Sequence, residues 1–293
     1  MTVQYEIVHT TVYRYKQPVS FGEHRVMFRP RDSHDLRVLA TDLQVSPASQ
    51  IRMIQDPHSN SVALVQPDGP ARELEIVCRF TIEHAHTSNE ELPLAPSAEV
   101  FPFAYGVEER FDLEQYLRPH YDDPGGHLTA WARQFLRTDG LTGTRELLFK
   151  MNQSIRDNFR YAARDEEGTQ APQETLKRST GSCRDFALLM MEAVRRLGVA
   201  TRFVSGYLYD PALDGGEADA TVGAGATHAW LQAYLPGAGW VPFDPTNNLT
   251  GGNQLIRVGV ARDPSQAAPI SGSWYGETDD YLGMSVNVAV HRR

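Results

Sequence analysis

Hydrophobic and polar residues alternate along the first part of the chain. Every second residue from Tyr5 to Tyr15 falls on one face of an alternating segment, and a second such face runs from Leu74 to Ile82. A period of two is typical of β-strands, because successive side chains point to opposite faces of a sheet. Turn-forming residues recur between these segments without a long helical pattern. The pattern predicts an antiparallel β-sandwich-like domain, which we place at residues 1–105.

The pattern changes after a connection that contains several prolines. Apolar residues recur at three- and four-residue steps in 127–138, in 145–161 and again after Cys183, which predicts three helices. Alternation returns after Gly198 and predicts an antiparallel sheet. We therefore expect an α+β protein in which residues 106–293 form a second domain of helices and antiparallel strands.

Composition and charge exclude several classes of protein. The chain has 293 residues, of which 41% are hydrophobic and 22% charged, as in a soluble globular protein with a core. Its net charge is −9 and it has no run rich in Lys or Arg, so we expect no nucleic-acid partner. No apolar run approaches the roughly 18 residues that span a bilayer, and the start lacks a signal-peptide pattern. We therefore expect no membrane partner. Two cysteines do not form a disulfide framework, so we expect a cytoplasmic protein.

The two cysteines occupy different patterns. Cys78 lies on an apolar strand face, where a thiol is typically a small buried hydrophobe. Cys183 follows a Gly-Ser turn and precedes an apolar stripe at helical spacing, which places it in the first helical turn. The positive end of the helix dipole favours a thiolate at that position. Asp185 in the same turn opposes the thiolate unless its carboxylate binds another partner.

A thiol nucleophile needs a base and a group that orients the base. His228 lies on the predicted strand ATHAWLQAYL, and Asp244 ends the next strand in WVPFDPTNN. Taken singly, a strand histidine is more often structural, and an aspartate before proline is more often a turn residue. The order of thiol, imidazole and carboxylate is the one that a Cys-His-Asp triad requires.

Three segments of the sequence resemble a known family. G-S-C-R-D-F-A, T-H-A-W and F-D-P-T-N-N are similar to the catalytic segments of the transglutaminase-like cysteine enzymes, whose core is papain-like. The N-terminal stretch HTTVYRYKQPVSFGEHRVMFRPR resembles the β-rich domain that precedes this core in bacterial members. The resemblance implies Cys183 as the nucleophile, His228 as the base and Asp244 as the residue that orients the base.

Several neighbouring residues are candidates for supporting roles. We expect the backbone N–H of Cys183 to be one oxyanion donor. Tyr161 is either a second donor or a packed aromatic residue at a strand end. Trp230 either covers the imidazole or belongs to the core, and Asn247 is a candidate for holding the loop after Asp244.

The family resemblance implies thiol-dependent acyl transfer on a peptide or protein substrate, without a cofactor or a metal ion. We favour hydrolysis of peptide or isopeptide bonds, since the sequence shows no metal-binding or zymogen feature of the crosslinking enzymes. Protein crosslinking with an amine acceptor and acetyl transfer from a thioester are the alternative activities. A catalytically silent interaction module is a further alternative, although such a module would need none of the three triad residues.

The hypothesis of a Cys-His-Asp triad also limits the possible loop lengths of the turn PGAG between the two strands. A plain hairpin with a two- or four-residue loop would place Asp244 and His228 on opposite faces of the sheet. We therefore predict a three- or five-residue loop, or a bulge, with Gly237 or Gly239 at positive φ. A three-residue loop pairs Leu235 with Gly239.

Overall fold

The computed structural model describes residues 2–85, 93–164, 167–214, 222 and 225–293. The strands in these residues are β1 (Thr2–Phe21), β2 (His24–Val26), β3 (Leu36–Ser46), β4 (Ser49–Gln55), β5 (Ser61–Pro67), β6 (Ala71–Ala85), β7 (Val100–Phe101), β8 (Thr142–Gly143), β9 (Arg160–Tyr161), β10 (Thr180–Gly181), β11 (Thr201–Leu208), β12 (Thr227–Leu235), β13 (Gly239–Phe243), β14 (Leu255–Ala261), β15 (Ile270–Ser271), β16 (Trp274–Tyr275) and β17 (Tyr281–Arg292). The α-helices are α1 (Val107–Asp112), α2 (Glu114–Leu117), α3 (His127–Arg133), α4 (Thr144–Asn158), α5 (Pro172–Arg178) and α6 (Cys183–Arg196).

Two antiparallel sheets form the N-terminal part of the molecule. One has the order β16-β1-β6-β3 with β17 also paired to β1, and the other has the order β15-β2-β5-β4. Their apolar faces share one core, in which Ile7 and Ile76 of the first sheet and Val62 of the second are fully buried. The alternating faces read from the sequence are therefore the inner faces of a sandwich, and the predicted fold class is confirmed.

The end of the chain returns to this sandwich. β17 pairs with β1 from Tyr5 opposite Arg292 to Tyr15 opposite Tyr281, and β15 and β16 extend the two sheets. The division predicted at residue 105 assigned all three strands to the second domain. The structure differs because alternation identifies a strand but not its partner, which for each of these strands lies more than 240 residues away in sequence.

The second part of the molecule is built around α6. Helix α6 lies on one face of an antiparallel sheet with the order β13-β12-β11-β14. Leu231 and Ala233 of β12 pack with the apolar residues of the helix in one core. Even its polar residues Glu192 and Arg195 are buried and form an ion pair at 2.9 Å, so the helix is held on several sides. No helix in the described part of the chain is long and apolar enough to cross a bilayer.

The helices before α6 are shorter than the sequence predicts. α3 ends at Arg133, and α4 ends at Asn158, so Tyr161 lies in the short strand β9. β9 pairs in parallel with β10, which immediately precedes α6. This pairing brings the end of the α4 segment to the start of α6.

The sandwich and the core sheet are in direct contact. The side chain of Asn60 accepts a hydrogen bond from the backbone N–H of Val260 at 2.9 Å and donates one to its carbonyl oxygen at 2.7 Å. Tyr207 and Ile256 of the core sheet are buried in the sandwich core. The core sheet has one face on α6, and these contacts hold its other face against the sandwich.

Candidate active site

The start of α6 holds the predicted nucleophile. Cys183 is the first residue of the helix and follows Ser182 at the N-cap. Its exposed fraction is 9%, so the residue is mostly enclosed. The sequence prediction of a cysteine in the first helical turn is confirmed.

The carboxylate of Asp185 is directed into its own set of hydrogen bonds. Its Oδ2 accepts from the N–H and the hydroxyl of Ser182, each at 2.8 Å. Its Oδ1 accepts from the backbone N–H of Gln170 at 2.7 Å and from Nη1 of Arg164 at 2.8 Å. Burial alone would raise the pKa of Asp185, but these hydrogen bonds lower it. The carboxylate therefore holds the turn before Cys183 and is balanced by an arginine.

No sequence pattern singled out Arg164 and Gln170. Both lie in the irregular segment between β9 and α5, and they reach Asp185 from 21 and 15 residues away. The one signal in the sequence was the conflict between an acidic residue and a thiolate in the same turn. That conflict implied a partner for Asp185 without identifying it.

His228 and Asp244 form a buried pair. Nε2 of His228 on β12 lies 2.9 Å from Oδ2 of Asp244, which directly follows β13. The exposed fractions of the two residues are 1% and 0%. A charge-assisted hydrogen bond in such a dry environment holds the imidazole in one orientation.

The hairpin between β12 and β13 sets this contact. Leu235 pairs with Gly239 and Leu231 with Phe243, so the loop has three residues, as one of the predicted alternatives required. Gly237 and Gly239 have φ angles of 88° and 71°. A side chain at Gly237 would also collide with the backbone of residues 93–95, which run past the turn. The prediction of an odd loop with glycines at positive φ is confirmed.

Two further hydrogen-bond donors hold the Asp244 carboxylate. Oδ1 accepts from the backbone N–H of Thr246 at 2.9 Å, and Oδ2 accepts from Nδ2 of Asn247 at 3.0 Å. Oδ1 of Asn247 in turn accepts from the N–H of Val222 at 3.1 Å. Burial alone would raise the pKa of Asp244, but the charge of His228 and these hydrogen bonds lower it. Asn247 thus contacts the carboxylate itself in addition to the loop.

The other ring nitrogen of His228 is available to the thiol. Nδ1 is buried and has no nitrogen or oxygen hydrogen-bond partner among the described residues. The Cys183 side chain interacts with this ring, although it is not aligned as a standard hydrogen bond, a common state of catalytic contacts without substrate. Burial alone would lower the pKa of His228, but Asp244 and, to a smaller extent, Cys183 raise it. The three side chains are therefore arranged as thiol, imidazole and carboxylate.

Tyr161 and Trp230 lie beside this arrangement. Tyr161 is half-buried and pairs with Gly181, two residues before the thiol. Burial and then the proximity of Cys183 raise its pKa. The Trp230 ring stacks on His228 with centroids 6.0 Å apart and an interplanar angle of 27°, and it is also buried among apolar residues of the sheet. Trp230 thus combines the two roles that the sequence offered as alternatives.

This group of side chains has the composition that activation of a thiol nucleophile requires. An imidazole that is oriented by a carboxylate can accept the proton of a thiol and later donate it to a leaving group. In the part of the chain that the structure describes, no three His, Cys, Asp or Glu side chains are placed to hold a metal ion.

Two family descriptions match the chain. Residues 5–83 match the bacterial transglutaminase-like N-terminal region, and residues 129–245 match the transglutaminase-like superfamily. Together the two matches span about two thirds of the sequence and include Cys183, His228 and Asp244.

Relatives and solved structures match over nearly the whole chain. An uncharacterised protein of Mycobacterium leprae is 26% identical over 96% of this chain and 97% of its own length. An uncharacterised protein of Mycobacterium tuberculosis is 28% identical, with 98% and 93% covered. The crystal structure of a protein from Cytophaga hutchinsonii, described as a candidate cysteine protease, has a TM-score of 0.72 at 19% identity, with 99% of this chain and 91% of that chain covered. At that identity the likeness shows a shared fold.

Proposed function

The chain belongs to the transglutaminase-like superfamily, with a bacterial transglutaminase-like N-terminal region, and from that premise we propose that it is a cysteine hydrolase of peptide or isopeptide bonds. Its substrate is a peptide or protein with an amide carbonyl that the thiol can attack. Cys183 is the nucleophile, His228 the general base and acid, and Asp244 the residue that orients His228.

One observation carries the proposal. His228 is held at Nε2 by a buried carboxylate 2.9 Å away, and its Nδ1 has no nitrogen or oxygen partner among the described residues. The thiol of Cys183, at the first residue of a helix, interacts with the same ring. A histidine with only a structural role would use both ring nitrogens in hydrogen bonds, because an unpaired buried nitrogen costs about 1–3 kcal/mol. Keeping Nδ1 free for the thiol is the arrangement that acyl transfer requires.

The proposed reaction proceeds in two steps. In the first, Nδ1 of His228 takes the thiol proton, Sγ of Cys183 attacks the amide carbonyl, and the amine leaves with that proton as the thioester forms. In the second, His228 takes a proton from water, the hydroxide attacks the thioester, and the acid is released as the thiol is re-formed. The backbone N–H of Cys183 supports the oxyanion, because an N–H at the first residue of a helix lacks an acceptor within that helix.

Water and an amine are competing acceptors for the thioester. We favour water because the sequence shows no metal-binding or zymogen feature of the crosslinking enzymes. The protein from Cytophaga hutchinsonii that shares the fold is described as a candidate cysteine protease. We extend that activity to this chain as part of the proposal.

The acceptor can be measured directly. We would incubate the protein with a tryptic peptide library from a bacterial proteome in H₂¹⁸O that contains a dansylated alkylamine. Hydrolysis places one ¹⁸O in each new carboxyl group, whereas amine transfer places the dansyl group there. We expect ¹⁸O-labelled products from the wild type and none from Cys183→Ala. Dansyl-labelled products alone would replace hydrolysis by crosslinking, and a folded wild type without either product would favour a silent module.

A further inference from the structure

A cavity of about 320 Å³ lies between the sandwich and the core sheet. It faces the side of the sheet that is turned away from α6, since Trp230 and Gln232 line it while Leu231 and Ala233 pack on the helix. Its volume is at the lower end of the range for small-molecule sites, roughly 300–1,000 Å³. The cavity is therefore large enough for a small ligand and is separate from the thiol.

The charged side chains that line this cavity are mainly arginines. Arg31 comes from the sandwich, and Arg202 and Arg257 come from the core sheet. Asp35 is the acidic residue in the lining, and its Oδ1 forms an ion pair with Nη2 of Arg257 at 3.4 Å. Three guanidinium groups thus face one carboxylate.

Arg202 is the most informative of the three. Its Nε donates to Oε1 of Gln232 at 2.9 Å, and its guanidinium carbon lies 4.2 Å from the ring centroid of Trp240. Among the described residues no carboxylate pairs with it. Burial and then the charges of Arg257 and Arg31 lower the pKa of Arg202 to about 9. The folded protein therefore holds a largely enclosed cation next to two like charges, which is unfavourable unless an anion compensates it.

We propose that this cavity binds a small anion with a phosphate or carboxylate group, held by Arg202 together with Arg31. Guanidinium groups bind both kinds of anion in a bidentate way, and the bonds are strong in an enclosed site. Trp240 fixes the plane of the Arg202 guanidinium, so little side-chain freedom is lost on binding.

The walls of the site are formed in advance of binding. Asn60 joins the sandwich to Val260 by two hydrogen bonds, and Nη2 of Arg257 donates to the hydroxyl of Ser33 at 2.9 Å. Trp230 lines the cavity and also stacks on His228, so one side chain separates the anion from the candidate triad. This anion site is distinct from the candidate triad and does not depend on the proposed hydrolysis.

Thermal unfolding with defined anions tests the proposal. We would measure the Tm of the whole protein in sodium phosphate, in sodium citrate and in sodium chloride, all at equal ionic strength and pH. We expect phosphate or citrate to raise the Tm of the wild type by about 3 °C or more relative to chloride. A response to phosphate alone identifies a phosphate ligand, and a response to citrate alone identifies a carboxylate ligand.

Two variants and a matched control make the test specific. Arg202→Gln should abolish the shift, and tryptophan fluorescence should show binding at least about tenfold weaker in Arg31→Gln. Arg31 is exposed and bonds only to the carbonyl oxygen of Ser59 among the described residues, so this variant decides the question even if Arg202→Gln does not fold. Arg79→Gln, an exposed change on β6, should keep the wild-type response. An absent shift in the wild type, or the same shift in Arg31→Gln and Arg79→Gln, would overturn the proposal.

Discussion

The molecule contains two neighbouring pairs of a buried cysteine and a buried histidine, one in each of its two parts. In the core, Cys183 at the start of α6 lies beside His228. In the sandwich, Cys78 on β6 is directly opposite His9 on β1. All four side chains have exposed fractions of 9% or less. Residue type and burial alone therefore do not distinguish a reactive pair from a structural one.

The partners of the two histidines differ. Nδ1 of His9 lies 2.8 Å from the hydroxyl of Tyr207, and Nε2 lies 2.9 Å from that of Thr11, so both ring nitrogens are occupied by neutral groups. Burial lowers the pKa of His9 to about 3. In His228, by contrast, one ring nitrogen has no nitrogen or oxygen partner among the described residues, and the other is paired with a carboxylate. The pKa of His228 is raised. A buried carboxylate thus reverses the direction in which burial alone shifts an imidazole.

The two thiols also lie in different surroundings. Cys78 lies in the middle of a long strand, and burial together with the charge of Asp42 raises its pKa to about 12. Cys183 lies at a helix start, where backbone N–H groups point towards the side chain. The comparison shows that a helix terminus and an acidic partner for the histidine, rather than a Cys–His contact, make the core pair the candidate for catalysis.

Replacing each cysteine in turn should give the largest contrast. Cys183→Ala is expected to lower kcat/KM by at least about 10³-fold, because the nucleophile is lost. The variant should fold normally, since a small residue at a helix start costs little packing. Cys78→Ala should keep kcat/KM and lose stability, because it leaves a small cavity in the sandwich core. Rates on an identified substrate and urea denaturation curves measure both effects.

The outcomes of this pair of variants are unambiguous. A fully active Cys183→Ala protein would remove the thiol mechanism. Loss of activity in a folded Cys78→Ala protein would remove the distinction between the two pairs.

Asp244→Asn should have the next largest effect. We expect it to keep about tenfold to a hundredfold more activity than Cys183→Ala, because orientation of the base is only one part of the rate. An asparagine keeps the size of the side chain but not its charge, so the pKa of His228 should fall in the variant. The pH dependence of kcat/KM measures that shift, and Asp139→Asn on the exposed surface is the control.

The same substitution predicts a pH window for stability. The folded pKa of Asp244 is lowered, so its contribution is present above its unfolded value near 4 and is lost as the pH falls. The folded pKa of His228 is raised, so its contribution is complete below its unfolded value near 6.5 and is lost as the pH rises. The stability difference between wild type and Asp244→Asn should therefore be greatest between about pH 4 and 6.5. A difference that grows steadily above pH 7 would contradict this assignment of charges.

Local patterns predicted much of this site, and long-range pairing accounts for what they missed. A triad requires His228 and Asp244 on the same face of the sheet. Because turn length fixes strand register, this requirement predicted an odd loop with glycines at positive φ, and the structure has a three-residue loop with such glycines. Alternation could not show that β17 returns to β1, because that pairing depends on which strand edges are free. Arg164 could not be linked to Asp185 from sequence, since an irregular segment brings it there and has no periodicity.

Alkylation separates the two thiols without a substrate. Brief treatment of the folded protein with iodoacetamide near pH 6 should modify Cys183 at least about tenfold faster than Cys78, which is 2% exposed and has a raised pKa. His228→Ala should slow the labelling of Cys183, whereas the same labelling in denaturant should make the two thiols react alike. Peptide mapping identifies the modified residue. Preferential labelling of Cys78, or equally slow labelling of both thiols, would mean that Cys183 is only a packed residue.

The smallest effect is expected at His9, and it has no consequence for activity. The pKa of His9 is about 3 in the folded chain and about 6.5 in the unfolded chain. Between pH 3 and 6.5 the unfolded chain therefore binds a proton at this residue that the folded chain excludes. Its contribution to stability is therefore present above pH 6.5 and is lost as the pH falls, by about 2 kcal/mol between pH 7 and 5. His9→Gln should remove this acid sensitivity and leave kcat/KM unchanged, whereas His34→Gln on the surface should change neither. Urea denaturation at pH 7 and 5 measures the difference. If His9→Gln loses as much stability on acidification as the wild type, then His9 is protonated in the folded state and the two histidines are not the opposites that their partners imply.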